Sequence, residues 1–154
     1  ATKLMMSEFS LSDAVLDTAE PFKAVAQAKD KKLEINVDEG ISYVGDEKTI
    51  RQLISILLDN AMKYSESSIS ITLKTSGRNR MIIVWNTVDE SANIKKGRQD
   101  ILFERFYRAD PSHNSKTGGF GIGLSAAYAI VRAHKGRISA RSEDGRSIEF
   151  MIVL

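Results

Sequence analysis

An apolar stripe in residues 47–64 constrains the fold of this chain more than any other feature of its sequence. Apolar residues recur there at the spacing i, i+3, i+4, i+7, which places them on one face of an α-helix. The stripe consists of Ile50, Leu53, Ile54, Leu57 and Ala61. Asp46, just before the segment, is a residue type that caps helices. A helix with one apolar face must bury that face against another layer, which the rest of the chain has to supply.

Short segments with strand patterns can supply that layer. Most of them alternate apolar and polar residues, and turn residues separate neighbours at Gly77-Arg78-Asn79 and at Asp144-Gly145. The predicted strands are residues 33–37, 41–44, 68–75, 81–85, 137–142 and 147–154. Because the strands are interleaved with helices and include antiparallel hairpins, we predict an α/β fold, a two-layer sandwich of one sheet and one helical layer.

Two further helices are predicted. The first covers residues 11–31, begins after a cap at Ser10 or Ser12, and is kinked or broken at Pro21. The second covers residues 121–135 and is closed by Gly136. Residues 88–119 have little periodicity and many polar residues, which is typical of a functional lid over a ligand or of a disordered loop.

Composition excludes several classes of protein. The chain has 154 residues, enough for one ordinary domain, and its net charge of +2 gives no bias toward polyanions such as nucleic acids. Without cysteine it has no disulfide framework and no zinc site with thiolate ligands, which suits a reducing cytoplasm. No apolar run approaches the roughly 18 residues of a membrane span, and no signal peptide opens the sequence. The start at Ala1 suggests a segment excised from a longer protein.

Asn60 and Lys63 lie about one turn apart on the central helix, on the face opposite its apolar stripe. An amide oxygen can ligate Mg²⁺, and a lysine one turn further can neutralise a phosphate. The alternative is an ordinary solvated helix face with an ion pair between Asp59 and Lys63. The helix alone leaves both interpretations open.

A cluster of glycines in residues 118–125 begins the last predicted helix. Glycines let the backbone approach a ligand closely, and free N–H groups at a helix N-terminus favour phosphate. A formal match to the dinucleotide fingerprint, from Gly121 to Ala126, lacks the preceding strand, and the Gly-Lys-Ser/Thr of a Walker loop is missing. The cluster therefore indicates phosphate binding outside the two commonest phosphate-binding folds, or else a flexible hinge.

Residues 102–108 contain aromatic residues and arginines between these two segments. Phe103 can anchor the base of the predicted lid, and Arg105 or Arg108 can reach nucleotide phosphates. The alternative is that the aromatic residues pack on the core and the arginines are surface charges.

Four motifs in this order resemble the catalytic domain of sensor histidine kinases, in the GHKL ATPase superfamily. Residues 57–65 resemble the N box, 84–88 occupy the place of the G1 box, 103–110 resemble the F box, and 119–125 resemble the G2 box. The resemblance extends from about residue 9 to residue 154. It implies a Bergerat-type fold, in which a mixed sheet of about five strands is backed by three helices, with a mobile ATP lid over residues 88–119.

The resemblance also implies an ATP site with Mg²⁺. Asn60 would ligate the metal, Lys63 would contact phosphate, and Tyr64 would contact the sugar or phosphate. Asn86 would accept the adenine amino proton. Arg105 or Arg108 would be the phosphate contact of the lid. The remaining residues expected at the nucleotide are Phe103, Gly119, Gly121, Ile122, Gly123, Leu124 and Ser147.

The function implied is transfer of the ATP γ-phosphoryl group to a histidine on a separate dimerisation domain, in two-component signal transduction. Residues 1–10 would be the end of the preceding dimerisation helix or a linker, and residues 11–154 the catalytic domain. His113 and His134 match no phosphoacceptor, and His134 would be a helix-end residue favoured by the helix dipole. The partners would be the protein's own dimerisation domain and then a response regulator. The parent protein would be a homodimer in the bacterial cell membrane, with this domain cytoplasmic and monomeric in isolation.

Two positions depart from the family pattern. Asn86 stands where the family carries an aspartate, so its oxygen would accept the adenine hydrogen bond without charge assistance, and its NH₂ must point elsewhere. Ile56 stands one turn before Asn60, where ATP-hydrolysing relatives carry a glutamate base. Ile56 argues against an ATP-hydrolysing machine, and both departures leave a catalytically decayed nucleotide sensor as the alternative function.

Overall fold

The computed structural model describes residues 3–99 and 115–154, with only the backbone described for residues 115–122. The strands are β1 Ser7–Ser10, β2 Lys32–Val37, β3 Ser42–Gly45, β4 Ser68–Ser76, β5 Asn79–Thr87, β6 Gly97–Arg98, β7 Arg137–Ser142 and β8 Ser147–Val153. The α-helices are α1 Leu11–Ala19, α2 Phe22–Ala28, α3 Glu47–Tyr64 and α4 Ser115–Ala133, with a 3₁₀ turn at Glu90–Ala92.

The larger sheet has the strand order β2-β4-β5-β8-β7-β6. It is mixed, because β2 pairs parallel with β4 while the other neighbours pair antiparallel. The predicted α/β sandwich with a mixed sheet is therefore confirmed. The sheet has six strands instead of about five, since the two-residue β6, which lies within the predicted lid, pairs with the end of β7.

The stripe on α3 packs on this sheet, as its spacing predicts. All five residues of the stripe are at most 1% exposed. The sheet side of the core consists of Ile69, Ile71, Leu73, Ile82, Val84, Ile148, Phe150 and Ile152. The N-terminus of α3 is capped by Asp46, whose Oδ1 accepts the Thr49 backbone N–H at 3.0 Å.

Pro21 divides the first predicted helix into α1 and α2. Ser10 caps α1, because its hydroxyl accepts the Asp13 backbone N–H at 3.1 Å. Ser12 is not the cap, since its hydroxyl donates to the Asp38 carbonyl at 2.6 Å and accepts the Ile41 N–H at 3.0 Å. Ser12 therefore fixes the loop between β2 and β3 on α1.

The predicted start of the last helix was wrong. It begins at Ser115, six residues before the predicted Gly121, and ends at Ala133 instead of Lys135. Glycine costs about 1 kcal/mol relative to alanine inside a helix but does not forbid it, so the helix continues through the cluster. The backbone of Gly119, Gly121 and Gly123 is consequently helical, and these glycines do not form a loop before a helix N-terminus.

Residues 7–10, expected to belong to the end of a dimerisation helix or to a linker, form the strand β1. The strand pairs antiparallel with β3 in a separate two-stranded sheet, with Phe9 opposite Tyr43. The two rings meet edge to face with their centroids 6.1 Å apart. This pairing supplies hydrogen bonds and an aromatic contact that a helix over the same residues would forfeit.

His134 just after α4 is neutral, contrary to the expected role as a cation at the helix end. Its Nδ1 lies 2.9 Å from the Ile130 carbonyl, which can only accept, so Nδ1 carries the proton. Its Nε2 accepts the Asp46 backbone N–H at 3.0 Å. His134 thus joins the end of α4 to the start of α3. Across the residues that the structure describes, none of the helices is long and apolar enough to cross a membrane.

Candidate functional site

Asn60 lies in the penultimate turn of α3 and is only 5% exposed. The interpretation of this face as an ordinary solvated one was therefore wrong for Asn60. Helices α1 and α4 both pack on α3. The Nδ2 of Asn60 is buried without a hydrogen-bond partner among the described residues. An unpaired buried amide costs free energy, so Nδ2 of Asn60 does not stabilise the fold through a hydrogen bond among these residues.

Lys63 has the ion pair that the alternative interpretation predicted. Its Nζ lies 3.2 Å from Asp59 Oδ2, and both side chains are more than half exposed. An exposed pair of this kind is worth little, so Lys63 can exchange Asp59 for another anion at low cost. Tyr64, next along the helix, is half-buried, and burial raises the pKa of its phenol.

Asn86 lies near the end of β5, on the face of the sheet that the helices cover. It follows Ile82 and Val84 at the strand period of two, and like them it is fully buried. Its Nδ2 donates to the Thr87 carbonyl at 2.8 Å. Its Oδ1 is buried and has no partner among the described residues. Asn86 is thus the polar residue at the end of a buried apolar row on β5, and its Oδ1 is an acceptor without a partner among the described residues.

Thr87 joins this end of β5 to the loop that follows α3. Its carbonyl also accepts the Glu66 N–H at 3.0 Å, and its hydroxyl accepts the N–H groups of Ser67 and Ser68 at 3.0 and 3.1 Å. The part of β5 that carries Asn86 and the loop after α3 are therefore held together by one hydrogen-bonded junction. This junction could not be predicted, since nothing local in the sequence relates Thr87 to residues about twenty positions earlier.

Lys31 closes the C-terminus of α3 and was also missed. Its Nζ donates to the carbonyls of Met62 and Ser65 at 2.7 and 2.8 Å. Desolvation by burial, and secondarily the charge of Lys29, lower the pKa of its ammonium group. Lys31 thus satisfies carbonyls at the end of α3 that the helix itself leaves free.

The glycine cluster lies against α3 through Ile56. A Cβ added at Gly123 would be 3.4 Å from Cγ2 of Ile56, which is an ordinary contact distance. Ile56 therefore fills the space between the two helices that carry the expected site. Leu124, the next residue, is fully buried in the core. The side chain of Ile122, and the residues Phe103, Arg105 and Arg108, lie outside what the structure describes.

Ser147, at the start of β8, pairs with Thr87, while Ile148 pairs with Asn86. The Ser147 hydroxyl donates to Asp144 Oδ1 at 2.9 Å. The hydrogen bonds from the Arg146 N–H and the Ser147 hydroxyl lower the pKa of Asp144. In the described structure no hydrogen bond joins Ser147 to Asn86, so only the strand pairing brings the two residues near each other.

The site thus has two buried amides with unpaired atoms, one on α3 and one on β5. Within the described residues there is no cluster of three or more His, Cys, Asp or Glu that could hold a metal ion. An amide acceptor suits a neutral donor such as an exocyclic amino group, and an amide oxygen suits a hard cation.

Comparison with known proteins gives the family. The family model of histidine kinase-, DNA gyrase B-, and HSP90-like ATPases matches residues 45–154. The chain belongs to this family of ATP-binding domains.

The sensor protein DltS of Streptococcus agalactiae is 36% identical over 144 residues, covering 92% of this chain and 35% of DltS. The sensor histidine kinase YkoH of Bacillus subtilis is 43% identical over 108 residues, covering 70% of this chain and 23% of YkoH. The chain therefore spans about a third or less of the length of these relatives.

Solved structures show the same fold. The nucleotide-free catalytic domain of histidine kinase ThkA has a TM-score of 0.76 at 19% identity, with 98% of this chain and 97% of that domain covered. Full-length ShkA in complex with AMPPNP has a TM-score of 0.77 at 23% identity, with 99% of this chain and 31% of ShkA covered.

Proposed function

We propose that this chain is the catalytic domain of a sensor histidine kinase, which transfers the γ-phosphoryl group of ATP to a histidine on a separate dimerisation domain. The observation that carries the proposal is the pair of buried asparagines with unpaired amide atoms, Asn60 and Asn86, within a family of ATP-binding domains. Relatives that match most of this chain are named sensor kinases, which supports the same activity.

Asn86 forms the base end of the proposed site. Its free Oδ1 accepts a hydrogen from the adenine amino group, while its Nδ2 stays bound to the Thr87 carbonyl. Ser147, which pairs with Thr87, and Tyr64, at the end of α3, are also proposed to contact the nucleotide, Tyr64 at its sugar or phosphate. Leu124 is fully buried, so in this proposal it supports the site from the core.

Asn60 forms the phosphate end, and its environment fits a magnesium ligand. Asn60 is buried, its Oδ1 is the atom that could ligate Mg²⁺, and its unpaired Nδ2 is a donor that could meet a phosphate oxygen. Mg²⁺ bound with ATP commonly takes one or two protein ligands, with phosphate oxygens and waters as the rest. When bound, the ion would neutralise charge on the phosphates. Lys63 would exchange Asp59 for a phosphate.

We propose the same phosphate role for Arg105 or Arg108, with Phe103 at the base of the lid. Gly119, Gly121, Ile122 and Gly123 would line the nucleotide along the first turns of α4. Ile56 can move no proton, so the reaction would depend on positioning and charge, with the acceptor histidine as the nucleophile. The chain would act on its own dimerisation domain, which then passes the phosphoryl group to a response regulator. The domain would be cytoplasmic, in a homodimeric protein of the bacterial cell membrane.

The test is phosphoryl transfer in the full-length protein with γ-labelled ATP and Mg²⁺. We expect label on the protein that is stable in base and labile in acid, as phosphohistidine is, and we expect it to disappear in an Asn60→Asp variant. Nucleotide binding without any label would contradict the kinase and favour a nucleotide sensor. Label that persists undiminished in Asn60→Asp would contradict the assignment of Asn60.

A further inference from the structure

The larger sheet has a second face, which points away from the helices. Side chains alternate between the two faces along a strand, and on β5 and β8 every second residue is buried in the core that the helices cover. The residues between them point to the opposite side and are only partly buried. We call this surface the open face. Its apolar part consists of Met81, Ile83 and Trp85 on β5 and of Met151 and Val153 on β8.

Strand register arranges the open face in three rows, each of which crosses β4, β5, β8 and β7. The rows contain, in that order of strands, Lys74, Met81, Val153 and Arg137; then Thr72, Ile83, Met151 and Ser139; then Ser70, Trp85, Glu149 and Arg141. The apolar residues therefore form one contiguous strip along the two central strands, with polar side chains on both sides. Single exposed apolar residues are ordinary, whereas a contiguous patch rimmed by polar residues marks an interaction surface.

The dimensions of the strip suit a single helix. Neighbouring strands lie about 4.8 Å apart, so the side chains of two strands make a strip about 10 Å wide, close to the diameter of one α-helix. Its length from Met81 to Trp85 is about 14 Å, or about nine helical residues. The four strands together offer roughly 300 Å², well below the ~800 Å² per partner of a stable complex between folded proteins. The face is therefore too small for a stable dimer of this chain.

The charges at one end of the strip are all positive. Lys74 and Arg137 end the first row, both are exposed, and neither has an ion pair among the described residues. Their strands are three spacings apart, about 14 Å, which leaves room for a helix of about 10–12 Å between them. At the other end Glu149 lies between Trp85 and Arg141, so the charges there are mixed. A carboxylate within the face disfavours an anionic lipid surface and favours a protein with a matching pattern of charge.

We propose that the open face is a docking site for an amphipathic helix of a partner protein, whose apolar stripe is bordered by carboxylates. The helix lies along β5 and β8, and Lys74 and Arg137 pair with carboxylates on its two sides. Its C-terminus is at this end, because the helix dipole is negative there. The open face and Asn86 are on opposite sides of the sheet, so this docking site does not depend on the proposed function.

Fluorescence measures this docking directly, because Trp85 is the only tryptophan of the chain and lies on the strip. The probe is a peptide of about 18 residues, long enough to form a helix, with alanines, a leucine stripe at i, i+3, i+4 and i+7, and glutamates beside the stripe. A second peptide has lysine in place of every glutamate. We expect the acidic peptide to shift the Trp85 emission to shorter wavelength, since it excludes water from the ring. It should bind about tenfold more tightly than the basic peptide, or better.

A pair of charge reversals tests the positive end of the strip. Lys74→Glu combined with Arg137→Glu should weaken binding of the acidic peptide by about tenfold or more. The matched control combines Lys48→Glu with Arg132→Glu, at exposed positions of the helical layer. The control changes the net charge by the same amount and should leave the affinity for the acidic peptide unchanged.

A pair of polar substitutions tests the apolar strip. Ile83→Thr combined with Met151→Thr should abolish binding of the acidic peptide. The urea midpoint should fall little, because both residues are partly exposed and threonine favours strands. The matched control, Val84→Thr, replaces a fully buried residue on the core face of β5 and should lower the midpoint far more.

Several results would contradict the docking site. They are an unchanged Trp85 emission with the acidic peptide, equal binding of the two peptides, and equal effects of the two charge reversals. A fall in the urea midpoint for the Ile83 and Met151 pair as large as that for Val84→Thr would show that the strip serves the fold instead. A concentration-dependent dimer in sedimentation, lost in that pair, would assign the face to a second copy. An emission shift with vesicles of phosphatidylserine and phosphatidylcholine, but not with peptide, would assign it to a membrane.

Discussion

At the scale of single residues, the proposed site depends on two asparagines that the sequence identified for different reasons. Asn60 was found from its helical spacing to Lys63 and then from the motif resemblance, whereas Asn86 was found from the resemblance alone, with its NH₂ expected to point away from the ligand. The burial of Asn60 was not predicted, since the helices α1 and α4 that pack on α3 are distant from it along the chain. The partner of the Asn86 amide was not predicted either. It is the Thr87 carbonyl, which also accepts the Glu66 N–H from the loop after α3.

Replacing Asn60 separates function from stability. An unpaired buried amide costs free energy, so Asn60→Ala should leave the free energy of unfolding within about 1 kcal/mol of the original value or raise it. The Mg²⁺-dependent part of ADP affinity should fall by roughly tenfold or more. Urea unfolding and calorimetry with and without Mg²⁺ measure the two effects. Asn36→Ala, at an exposed position of β2, is the control. A large loss of stability with unchanged Mg²⁺ dependence would show that Asn60 is structural.

Asp46 gives the chain a defined sensitivity to acid. The pKa of its carboxyl is lowered first by the Met5 backbone N–H, which binds Oδ2 at 2.8 Å, and then by the Thr49 N–H. A lowered folded-state pKa contributes stability above the ordinary value near 3.8, and that contribution is lost as the pH falls through the folded value.

An Asp46→Asn variant should therefore be less stable than the original chain at neutral pH. The difference should shrink as the pH falls below about 4, which urea unfolding across pH 2.5–7 would show. Asp13→Asn, at an exposed position of α1, serves as the control. A difference that stays constant over this range would contradict the role assigned to the carboxylate.

At the scale of elements, the sequence predicted the helices and strands whose patterns lie in their own residues or in adjacent ones. The stripe and cap of α3, the break at Pro21 and the hairpin of β7 and β8 are all encoded by neighbouring residues. The start of α4 was missed because glycine permits a helix as well as a loop. Strand β1 was missed because a four-residue strand depends on its partner β3 more than on its own sequence.

Lys31 joins two elements, because its ammonium group binds the end of α3 that carries Asn60. Its loss is therefore expected to affect the proposed site. Lys31→Met keeps most of the aliphatic stem and removes the donors to the carbonyls of Met62 and Ser65. We expect a loss of about 1–3 kcal/mol in the free energy of unfolding, with faster hydrogen exchange in the last turn of α3 and weaker ADP binding. Lys29→Met, at an exposed position two residues earlier, should change none of these. Equal effects of both substitutions would show that only local charge matters.

At the scale of the whole molecule, α3 is fastened at both ends to elements that border the proposed site. Its start is joined to the end of α4 through Asp46 and His134, and its middle contacts α4 through Ile56 and Gly123. Its C-terminus is closed by Lys31, and the loop after it is bound to β5 through Thr87. Such a frame holds the two asparagines in place before a ligand arrives, which is what a reaction that depends on positioning requires.

The binding of nucleotide to this chain tests that account most directly. Calorimetric titration with ADP in the presence of Mg²⁺ should show one site per chain, with affinity that weakens when Mg²⁺ is removed and when Asn60 is replaced by alanine. The absence of heat at millimolar ADP, confirmed by unchanged melting of the chain at the same concentration, would contradict the account.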